Sequence, residues 1–142
     1  MIQIETTSHD PFFNQAFEDY VFRTYREGDV LLLWRNRPAV VVGCYQNICR
    51  EVHMRALLDR GIPVVRRMSG GGTVYHDLGN LNYTLISDQT GPLDYDRCLE
   101  PVIRALNALG IPAQKNRTCD IAVDGKKISG SHKSAALSER RL

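Results

Sequence analysis

The sequence places three consecutive glycines beside two arginines and a histidine, in the segment RRMSGGGTVYHDLGN (residues 66–80). Glycine has no Cβ and adopts positive φ readily, so a ligand can lie directly against this main chain. Its amide N–H groups can then bind phosphate or carboxylate oxygens, and a neighbouring arginine can bind a phosphate through two parallel hydrogen bonds. A flexible turn without function explains the glycines equally well, so both interpretations stand at this point.

A second segment that could do chemistry is DIAVDGKKISGS (residues 120–131), in which two lysines follow a predicted tight turn at Asp124-Gly125. Successive side chains of a strand point to opposite faces. One of Lys126 and Lys127 can therefore point inward, with its ammonium over an anionic site, while the other stays in water. The alternative is that both lysines are solvated at a sheet edge.

The glycine segment differs from the familiar phosphate and nucleophile motifs. SGGGTV is not GxGxxG and no clear helix follows it, which argues against a dinucleotide-binding fold. It also lacks the GxxxxGK[ST] pattern of a P-loop and the GxSxG pattern of a nucleophile elbow. The sequence predicts instead a strand, a glycine-rich loop and a second strand.

Three helices are predicted to support these segments. The first covers residues 10–28, with Asp10 as N-cap, Pro11 at the first helical position and Gly28 at the end. The second covers residues 51–61. The third lies within residues 91–110 and either starts near Leu99 or bends there, because Pro101 interrupts a regular helix. An apolar stripe on the first helix is predicted to pack in the core, and its members are Phe13, Phe17, Tyr20, Val21 and Thr24.

The remaining β-rich segments predict short strands. Residues 29–36 and 39–47 are predicted to pair through a short connection, and residues 73–77 and 80–87 to form a hairpin with its turn near Leu78-Gly79. Strands outnumber helices and several neighbours look like hairpins. The pattern therefore favours an α+β fold with a mostly antiparallel sheet flanked by helices, over a doubly wound parallel sheet. Further strands are predicted at residues 3–7, 62–67, 111–115, 120–124 and 126–131.

Length and composition indicate one globular domain of 142 residues, with 43% hydrophobic and 24% charged residues. The net charge of +2 is too small to argue for nucleic acid or an anionic membrane as partner. The polar start predicts no secretory signal, and no apolar run is long enough to span a membrane. The four cysteines form no CxxC pair and no zinc spacing, so we expect reduced thiols, no metal site and a cytoplasmic location.

Taken together, the segments resemble the lipoate–protein ligase family, within the biotin/lipoate ligase fold that is similar to class II aminoacyl-tRNA synthetases. The resemblance covers nearly the whole chain in order, and Asn14, Ala16 and Glu18 of the first helix also fit. The segments that carry it are WRNRPAVVVGCYQN (residues 34–47), RRMSGGGTVYHDLGN (residues 66–80), LNALGI (residues 106–111) and DIAVDGKKISGS (residues 120–131).

The resemblance implies an enzyme that uses ATP and Mg²⁺ to join lipoate to AMP and then transfers the lipoyl group to a lysine of a carrier domain. It implies that Arg67 binds nucleotide phosphate, that His76 shapes the acyl pocket and that Asp120 holds the nucleotide side. Lys127 would be catalytic, in contact with the activated carboxyl and the α-phosphate. The other implied lipoyl-AMP-binding residues are Gly71, Gly72, Thr73, Val74 and Tyr75.

The resemblance also sets expectations for partners and extent. The implied carriers are the E2 subunits of 2-oxoacid dehydrogenases and the H protein of glycine cleavage. The family continues beyond the end of this sequence, so residues 1–142 are expected to form a partial catalytic domain, incomplete at its C-terminus and without the accessory C-terminal domain. A complementing polypeptide is one expectation. An octanoyl or lipoyl acyltransferase acting through a cysteine thioester, with Cys119 nearest the lysines, and a non-catalytic binder of lipoate are the alternatives.

Overall fold

A computed structural model describes residues 1–25, 28–87, 94–118 and 120–131. The predictions for Cys119, for the ends of two helices at residues 26–27 and 91–93, and for residues 132–142 lie outside the described part. Two compact units are present, with the boundary between residues 88 and 89. The first contains β1 Ile2–Glu5, α1 Pro11–Thr24, β2 Val30–Trp34, β3 Ala39–Val42, α2 Ile48–Glu51, α3 Met54–Asp59, β4 Val64–Arg66, β5 Val74–His76 and β6 Asn82–Ile86; the second contains α4 Tyr95–Ala108, β7 Ala113–Lys115, β8 Ile121–Val123 and β9 Lys126–Ser129.

The strands of the described residues form three sheets of three strands each. In the first unit, β2 lies between parallel β1 and antiparallel β6, and β3 lies between parallel β4 and antiparallel β5. In the second unit, β7, β8 and β9 form an antiparallel meander. Since four of these six pairings are antiparallel, the predicted α+β fold with mostly antiparallel strands is confirmed.

Two predicted hairpins of the first unit are wrong. β2 and β3 do not pair with each other, and neither do β5 and β6, because each member of these pairs belongs to a different sheet. The connection after β2 is held by other elements: Arg37 N donates to His9 O at 2.8 Å, and the Asn36 side chain is fully buried. All four residues of β3 are buried, as in a central strand between two others. The chain therefore crosses from one sheet to the other instead of folding back.

Helix α1 begins as predicted, but only part of its predicted core stripe faces the interior. Asp10 Oδ1 accepts hydrogen bonds from the amides of Phe12 and Phe13 at 2.9 and 3.0 Å, which confirms the N-cap, whereas the helix ends at Thr24, before Gly28. Of the predicted core stripe, Val21 is buried. The prediction is wrong for Phe13, Tyr20 and Thr24, which are exposed, and Phe17 is half-buried. Pro11 and Asn14 are buried instead. The helix turns a partly polar face toward the interior.

The second predicted helix is divided in two. The His53 side chain separates α2 from α3, because its Nδ1 accepts a hydrogen bond from Ala56 N at 3.2 Å and so caps the start of α3. Gly61 lies just beyond α3 with φ 62°, a conformation that glycine adopts at little cost. The predicted end of this helical region is therefore confirmed.

Helix α4 contains Pro101 in its interior, so the predicted start near Leu99 is wrong. Asp94 caps the helix, accepting from the amides of Asp96 and Arg97. A proline inside a helix costs about 3 kcal/mol, and the packing of α4 offsets this. Leu99 is buried with Ala113 and Ile121, and the helix adds the apolar side chains Val102, Ile103 and Leu106 to the same cluster.

The last hairpin confirms its prediction. Asp124 and Gly125 have φ values of 49° and 74°, and positive φ at both central residues is the signature of a type I′ turn. This turn joins β8 to β9 and so fixes where the two lysines begin. Among the described helices, none combines the length and the apolar character needed to cross a bilayer.

Candidate functional site

The glycine loop, residues 68–73, connects two strands that flank β3 on opposite sides. β4 runs parallel to β3 and ends with Arg66 beside Val42, whereas β5 runs antiparallel and begins with Val74 beside Val41. The loop must therefore cross over the carboxyl end of β3. That brings it against residues 43–47, which leave β3 at the same end.

The two loops touch through their main chains. A Cβ on Gly43 would lie 2.2 Å from the carbonyl oxygen of Gly71, so no residue with a side chain fits at Gly43 without displacing the glycine loop. Cys44 N donates to Ser69 O at 3.0 Å. Gly71 itself has φ 97°, which favours glycine at that position.

Arg67 is buried and stabilises the glycine loop through hydrogen bonds. Its Nη2 donates to the carbonyl oxygens of Gly70 and Gly72 at 2.7 and 2.8 Å. Its Nε donates to Ser69 Oγ at 3.2 Å. Burial lowers the pKa of Arg67 below its ordinary value, and the opposing effects of Cys44 and Glu18 are smaller. In this conformation the guanidinium organises the loop, and the prediction that it binds nucleotide phosphate stays a prediction.

The main chain of the loop is left with available donors. The carbonyls of Gly70 and Gly72 are occupied by Arg67. Within the described part of the chain, the amide N–H groups of Gly70, Gly71 and Gly72 donate no hydrogen bond to another residue. Gly71 and Gly72 are exposed. Occupied carbonyls and available amides are the arrangement with which a main chain binds an anion.

Two side chains, Gln46 and Arg66, hold residues 43–47 in place through hydrogen bonds. Gln46 Oε1 accepts from Gly43 N at 2.8 Å and from Thr73 Oγ1 at 2.9 Å. Arg66 Nη1 donates to the carbonyl oxygens of Gly43 and Gln46 at 2.8 and 2.9 Å. Both arginines of the segment therefore hold main chain in place. Sequence reasoning assigned no role to Gln46, because its function depends on a loop distant in sequence.

The predicted adenylate-binding residues at the end of the loop and in β5 line a groove. A groove of about 240 Å³ is lined by Thr73, Val74 and Tyr75 from the loop and β5, and by Glu51 and His53 from the helical region. The Tyr75 side chain is largely exposed. A role for these three residues in binding stays a prediction.

His76 is buried at the end of β5 and lies in a network of polar side chains. Its Nδ1 is 3.2 Å from Asn36 Nδ2, and Asn36 Oδ1 accepts from Asn14 Nδ2 at 2.9 Å. The centroids of the His76 and Trp34 rings are 6.0 Å apart. Trp34 also borders a second groove.

This second groove has a volume of about 500 Å³ and is lined by both apolar and polar side chains. Leu33, Trp34, Leu78 and Leu81 line it together with polar residues that include His9. Because Trp34 contacts both the groove and His76, the predicted role of His76 beside an acyl pocket is compatible with its surroundings.

A further polar contact links α1 to β6. Glu18 Oε1 accepts from Thr84 Oγ1 at 2.6 Å, and Trp34 Nε1 donates to the same Thr84 oxygen at 3.3 Å. Burial raises the pKa of Glu18, against the opposing effects of the Thr84 hydrogen bond and the Arg67 charge. The sequence showed Glu18 as part of a resemblance but gave no sign of this contact, because its partners lie far away in the chain.

In the second unit, Lys127 and Asp120 form an ion pair. Lys127 Nζ is 3.1 Å from Asp120 Oδ2, and Lys127 is the cross-strand partner of Ala122, beside an irregularity in the register between Ile121 and Ala122. Burial alone raises the pKa of Asp120, but hydrogen bonds from Thr118 and Lys127 hold it below its ordinary value. The carboxylate therefore stays ionised beside the ammonium.

The predicted division between an inward and an outward lysine is not seen within this unit, because Lys126 and Lys127 are both exposed. They differ in their partners, since only Lys127 forms an ion pair among the described residues. A Cβ on Gly130 would lie 3.4 Å from the Lys127 Cε and Nζ atoms. The glycine of the SGS segment thus leaves room for the end of this lysine.

The described residues contain no group of three or more His, Cys, Asp or Glu side chains that could hold a metal ion. The donor set of the glycine loop, which consists of amide N–H groups, fits an anionic group such as a phosphate. The chemistry that the glycine loop offers is therefore anion binding by main-chain amides.

Comparison with sequence families gives a match over most of the chain. The model of the lipoyl protein ligase A/B catalytic domain matches residues 10–135. The chain is 43% identical over 126 residues to lipoate-protein ligase LplJ of Bacillus subtilis, covering 87% of this chain and 38% of that relative. It is 41% identical over 135 residues to the mitochondrial lipoyl amidotransferase LIPT1 of Mus musculus, covering 90% of this chain and 35% of that relative. The chain thus spans little more than a third of the length of these relatives.

Solved structures show the same fold. A bi-partite lipoate protein ligase from Thermoplasma acidophilum, described with its E2 lipoyl domain, superposes with a TM-score of 0.82 at 26% identity, covering 95% of this chain and 56% of that one. A lipoate-protein ligase A bound with ATP gives a TM-score of 0.82 at 26% identity, covering 95% and 60%.

Proposed function

Since the chain belongs to the lipoyl protein ligase A/B catalytic-domain family, we propose that it acts as an ATP-dependent lipoate–protein ligase. The observation that carries this proposal is the glycine loop: Arg67 binds the carbonyls of Gly70 and Gly72, and the amides of Gly70, Gly71 and Gly72 donate to no residue in the described part of the chain. An acyl adenylate contains the phosphate that such a main chain binds. The ATP-bound relative supports the same nucleotide for this chain.

The proposed reaction has two steps. A carboxylate oxygen of lipoate attacks the α-phosphorus of ATP, forming lipoyl-AMP and releasing pyrophosphate, with Mg²⁺ accompanying the nucleotide phosphates. A carrier lysine then attacks the acyl carbon as an amine, so that an amide forms and AMP leaves. The first step brings two anions together, and fixed positive groups and main-chain donors reduce their repulsion in the transition state.

Within this proposal, the catalytic cation is Lys127. Its ammonium is held in place by Asp120, and a preorganised cation stabilises the negative charge that builds up on phosphoryl oxygens. Asp120 would also hold the nucleotide side. The leucine side chains of the groove beside Trp34 suit the hydrocarbon chain and dithiolane ring of lipoate, with His76 behind Trp34 as the nearby polar group.

The proposed protein substrate is a lipoyl carrier domain, of E2 or H-protein type. The Thermoplasma acidophilum ligase is bi-partite and was studied with an E2 lipoyl domain. We therefore include a complementing polypeptide as a second proposed partner, to be supplied in the assays.

An adenylation assay tests the proposal. The purified protein is incubated with ATP and Mg²⁺, with and without lipoate and with and without a candidate complementing polypeptide, and pyrophosphate is measured. Release that depends on lipoate supports the ligase. Binding of lipoate without any pyrophosphate release, under all of these conditions, identifies a non-catalytic binder instead.

The second candidate is an acyltransferase, which the 41% identity to a lipoyl amidotransferase favours. Such an enzyme moves an acyl group that is already activated or carrier-bound and needs no ATP. Incubation with an octanoylated or lipoylated carrier and an acceptor, in the absence of ATP, separates the two functions. Mass spectrometry of the enzyme shows whether a cysteine thioester forms, and Cys119 is the residue to inspect first.

A further inference from the structure

The segment between β7 and β8 holds the carboxylate that pairs with the proposed catalytic lysine. We propose that Thr118 is a positioning residue: its hydroxyl donates to Asp120 and so fixes the carboxylate that orients the Lys127 ammonium. The assignment of this hydrogen bond stands on geometry alone, and only its consequence for adenylation rests on the proposed function.

The side chain of Asn116 organises this segment. Asn116 Oδ1 accepts from Thr118 N at 3.0 Å and from Asp120 N at 2.9 Å. Main-chain amides only donate, so the side-chain atom that faces them must be the amide oxygen. In addition, Asn116 N donates to Asp120 O at 2.9 Å. Asp120 is thus attached to Asn116 through both its N–H and its C=O group.

The Thr118 hydroxyl has two oxygen neighbours but only one hydrogen to donate. Its Oγ1 is 3.0 Å from Asn116 Oδ1 and 2.9 Å from Asp120 Oδ2. An amide oxygen has two lone pairs, and two main-chain amides already occupy those of Asn116. The carboxylate is also the stronger acceptor, since hydrogen bonds to an ionised group are about twice as strong as neutral ones. The hydrogen of Thr118 is therefore directed to Asp120.

Both donors to the carboxylate meet at the same oxygen. Lys127 Nζ lies 3.1 Å from Asp120 Oδ2, so the ammonium and the Thr118 hydroxyl fill its two lone pairs. The exposed fraction of the Asp120 side chain is 13%, whereas that of Lys127 is 57%. The carboxylate is therefore the fixed member of the pair and the ammonium the accessible one. An ammonium has three hydrogens, and two of them are left for acceptors on a ligand.

The consequence for adenylation follows from preorganisation. A carboxylate held by one hydrogen bond fewer can rotate about its Cβ–Cγ bond, and the ammonium beside it then samples more positions. A cation stabilises developing charge best when it needs no rearrangement at the moment of reaction. Thr118 therefore influences the rate of lipoyl-AMP formation through Asp120 and Lys127, rather than by contact with the reacting atoms.

Nuclear magnetic resonance of the ligand-free protein tests the hydrogen bond without reference to activity. The ¹³C signal of the Asp120 carboxyl group, identified by its loss in Asp120→Asn, is followed as a function of pH. In the wild type we expect the pKa of Asp120 to lie below its ordinary value. In Thr118→Val we expect a higher pKa, because the loss of a donor destabilises the carboxylate. Thr118→Ser, which retains the hydroxyl, should restore the wild-type pKa.

Thr24→Val is the matched control for this titration. The Thr24 hydroxyl donates to Tyr20 O within α1, so its removal should leave the pKa of Asp120 unchanged. If Thr118→Val does not fold, Thr118→Ala takes its place, because it removes the same hydroxyl without setting a methyl group against the carboxylate. An Asp120 pKa that is equal in the wild type and in the variant without the Thr118 hydroxyl overturns the proposal.

Pyrophosphate release in the adenylation assay tests the positioning role. We expect Thr118→Val to lower kcat about three- to tenfold, the effect of one lost hydrogen bond of ordinary net strength. The KM for ATP and for lipoate should stay unchanged, since the interaction acts in the transition state, and Thr118→Ser should recover the rate. A raised Asp120 pKa with unchanged kcat overturns the positioning role. A wild-type protein that releases no pyrophosphate overturns the proposed function and the catalytic part of this inference, whereas the titration still decides the hydrogen bond.

Discussion

Replacing Arg67 by lysine separates two roles that a buried arginine beside a glycine loop can have. In the structure, one guanidinium binds the carbonyls of Gly70 and Gly72 and the hydroxyl of Ser69. A lysine keeps the charge but has a single nitrogen, which cannot reproduce this fork. At least two hydrogen bonds from a charged donor are lost, and at about 1.5 kcal/mol each they amount to about 3 kcal/mol.

The expected result is a loosened loop in the absence of any ligand. The free energy of unfolding in urea, followed through the fluorescence of Trp34 as the single tryptophan, should fall by about 3 kcal/mol. Hydrogen exchange at Gly70, Gly71 and Gly72 should accelerate. Nucleotide affinity should then weaken about 100-fold, because the ligand must order the loop on binding.

Arg55→Lys is the control for this experiment, because Arg55 is highly exposed and pairs with Asp59 one helical turn away. Its effect should stay below about 0.5 kcal/mol. The reasoning is refuted if Arg67→Lys leaves unfolding and hydrogen exchange unchanged while nucleotide affinity collapses. Arg67 would then act by direct contact with phosphate.

Three further changes test other parts of the molecule. Gly43→Ala should destabilise the protein by about 1–3 kcal/mol in urea unfolding, because its Cβ would lie 2.2 Å from Gly71 O; unchanged stability would mean that the loops separate freely. Lys127→Ala should reduce lipoyl-AMP formation at least about 100-fold while Lys126→Ala changes it little, and equal losses would contradict the assignment of the ion-paired lysine. Because the pKa of Glu18 is raised above 4.5, the folded state binds the proton more tightly, so stability should fall as pH rises through the interval above 4.5; Glu18→Gln should lose this fall and be the more stable protein at pH 7, and parallel pH curves would disprove the raised pKa.

Local chemistry was predictable from the sequence wherever a few neighbouring residues decide the conformation. The Asp10 cap depends on amides two and three residues away, and the turn at Asp124 and Gly125 depends on two φ angles. The glycine loop was located for the same reason. Its anion-binding character was one of two open interpretations until the partners of its carbonyls were known.

Pairings between distant segments were not predictable in the same way. β2 and β3 follow each other with strong β-propensity, yet each pairs with strands that come later or earlier in the chain. The predicted buried face of α1 was wrong in part. An apolar stripe usually marks the buried face of a helix, whereas Asn14 lies on the buried face of α1. Arg67 illustrates the limit for site residues: its type indicated phosphate, but its hydrogen bonds depend on where the loop folds.

Buried polar residues account for the unexpected buried face of α1 and for the role of Arg67. Among the described residues, the buried polar or charged ones are Asn14, Asn36, Arg67 and His76. Burying such groups costs free energy unless every partner is in place, and apolar side chains of similar size often stabilise a core better. A helix selected for packing alone would turn Phe13 inward and Asn14 outward, but α1 does the opposite. Asn14, Asn36 and His76 lie in one buried row of polar contacts, so the inward position of Asn14 on α1 accompanies these contacts, while Phe13 and Tyr20 remain exposed.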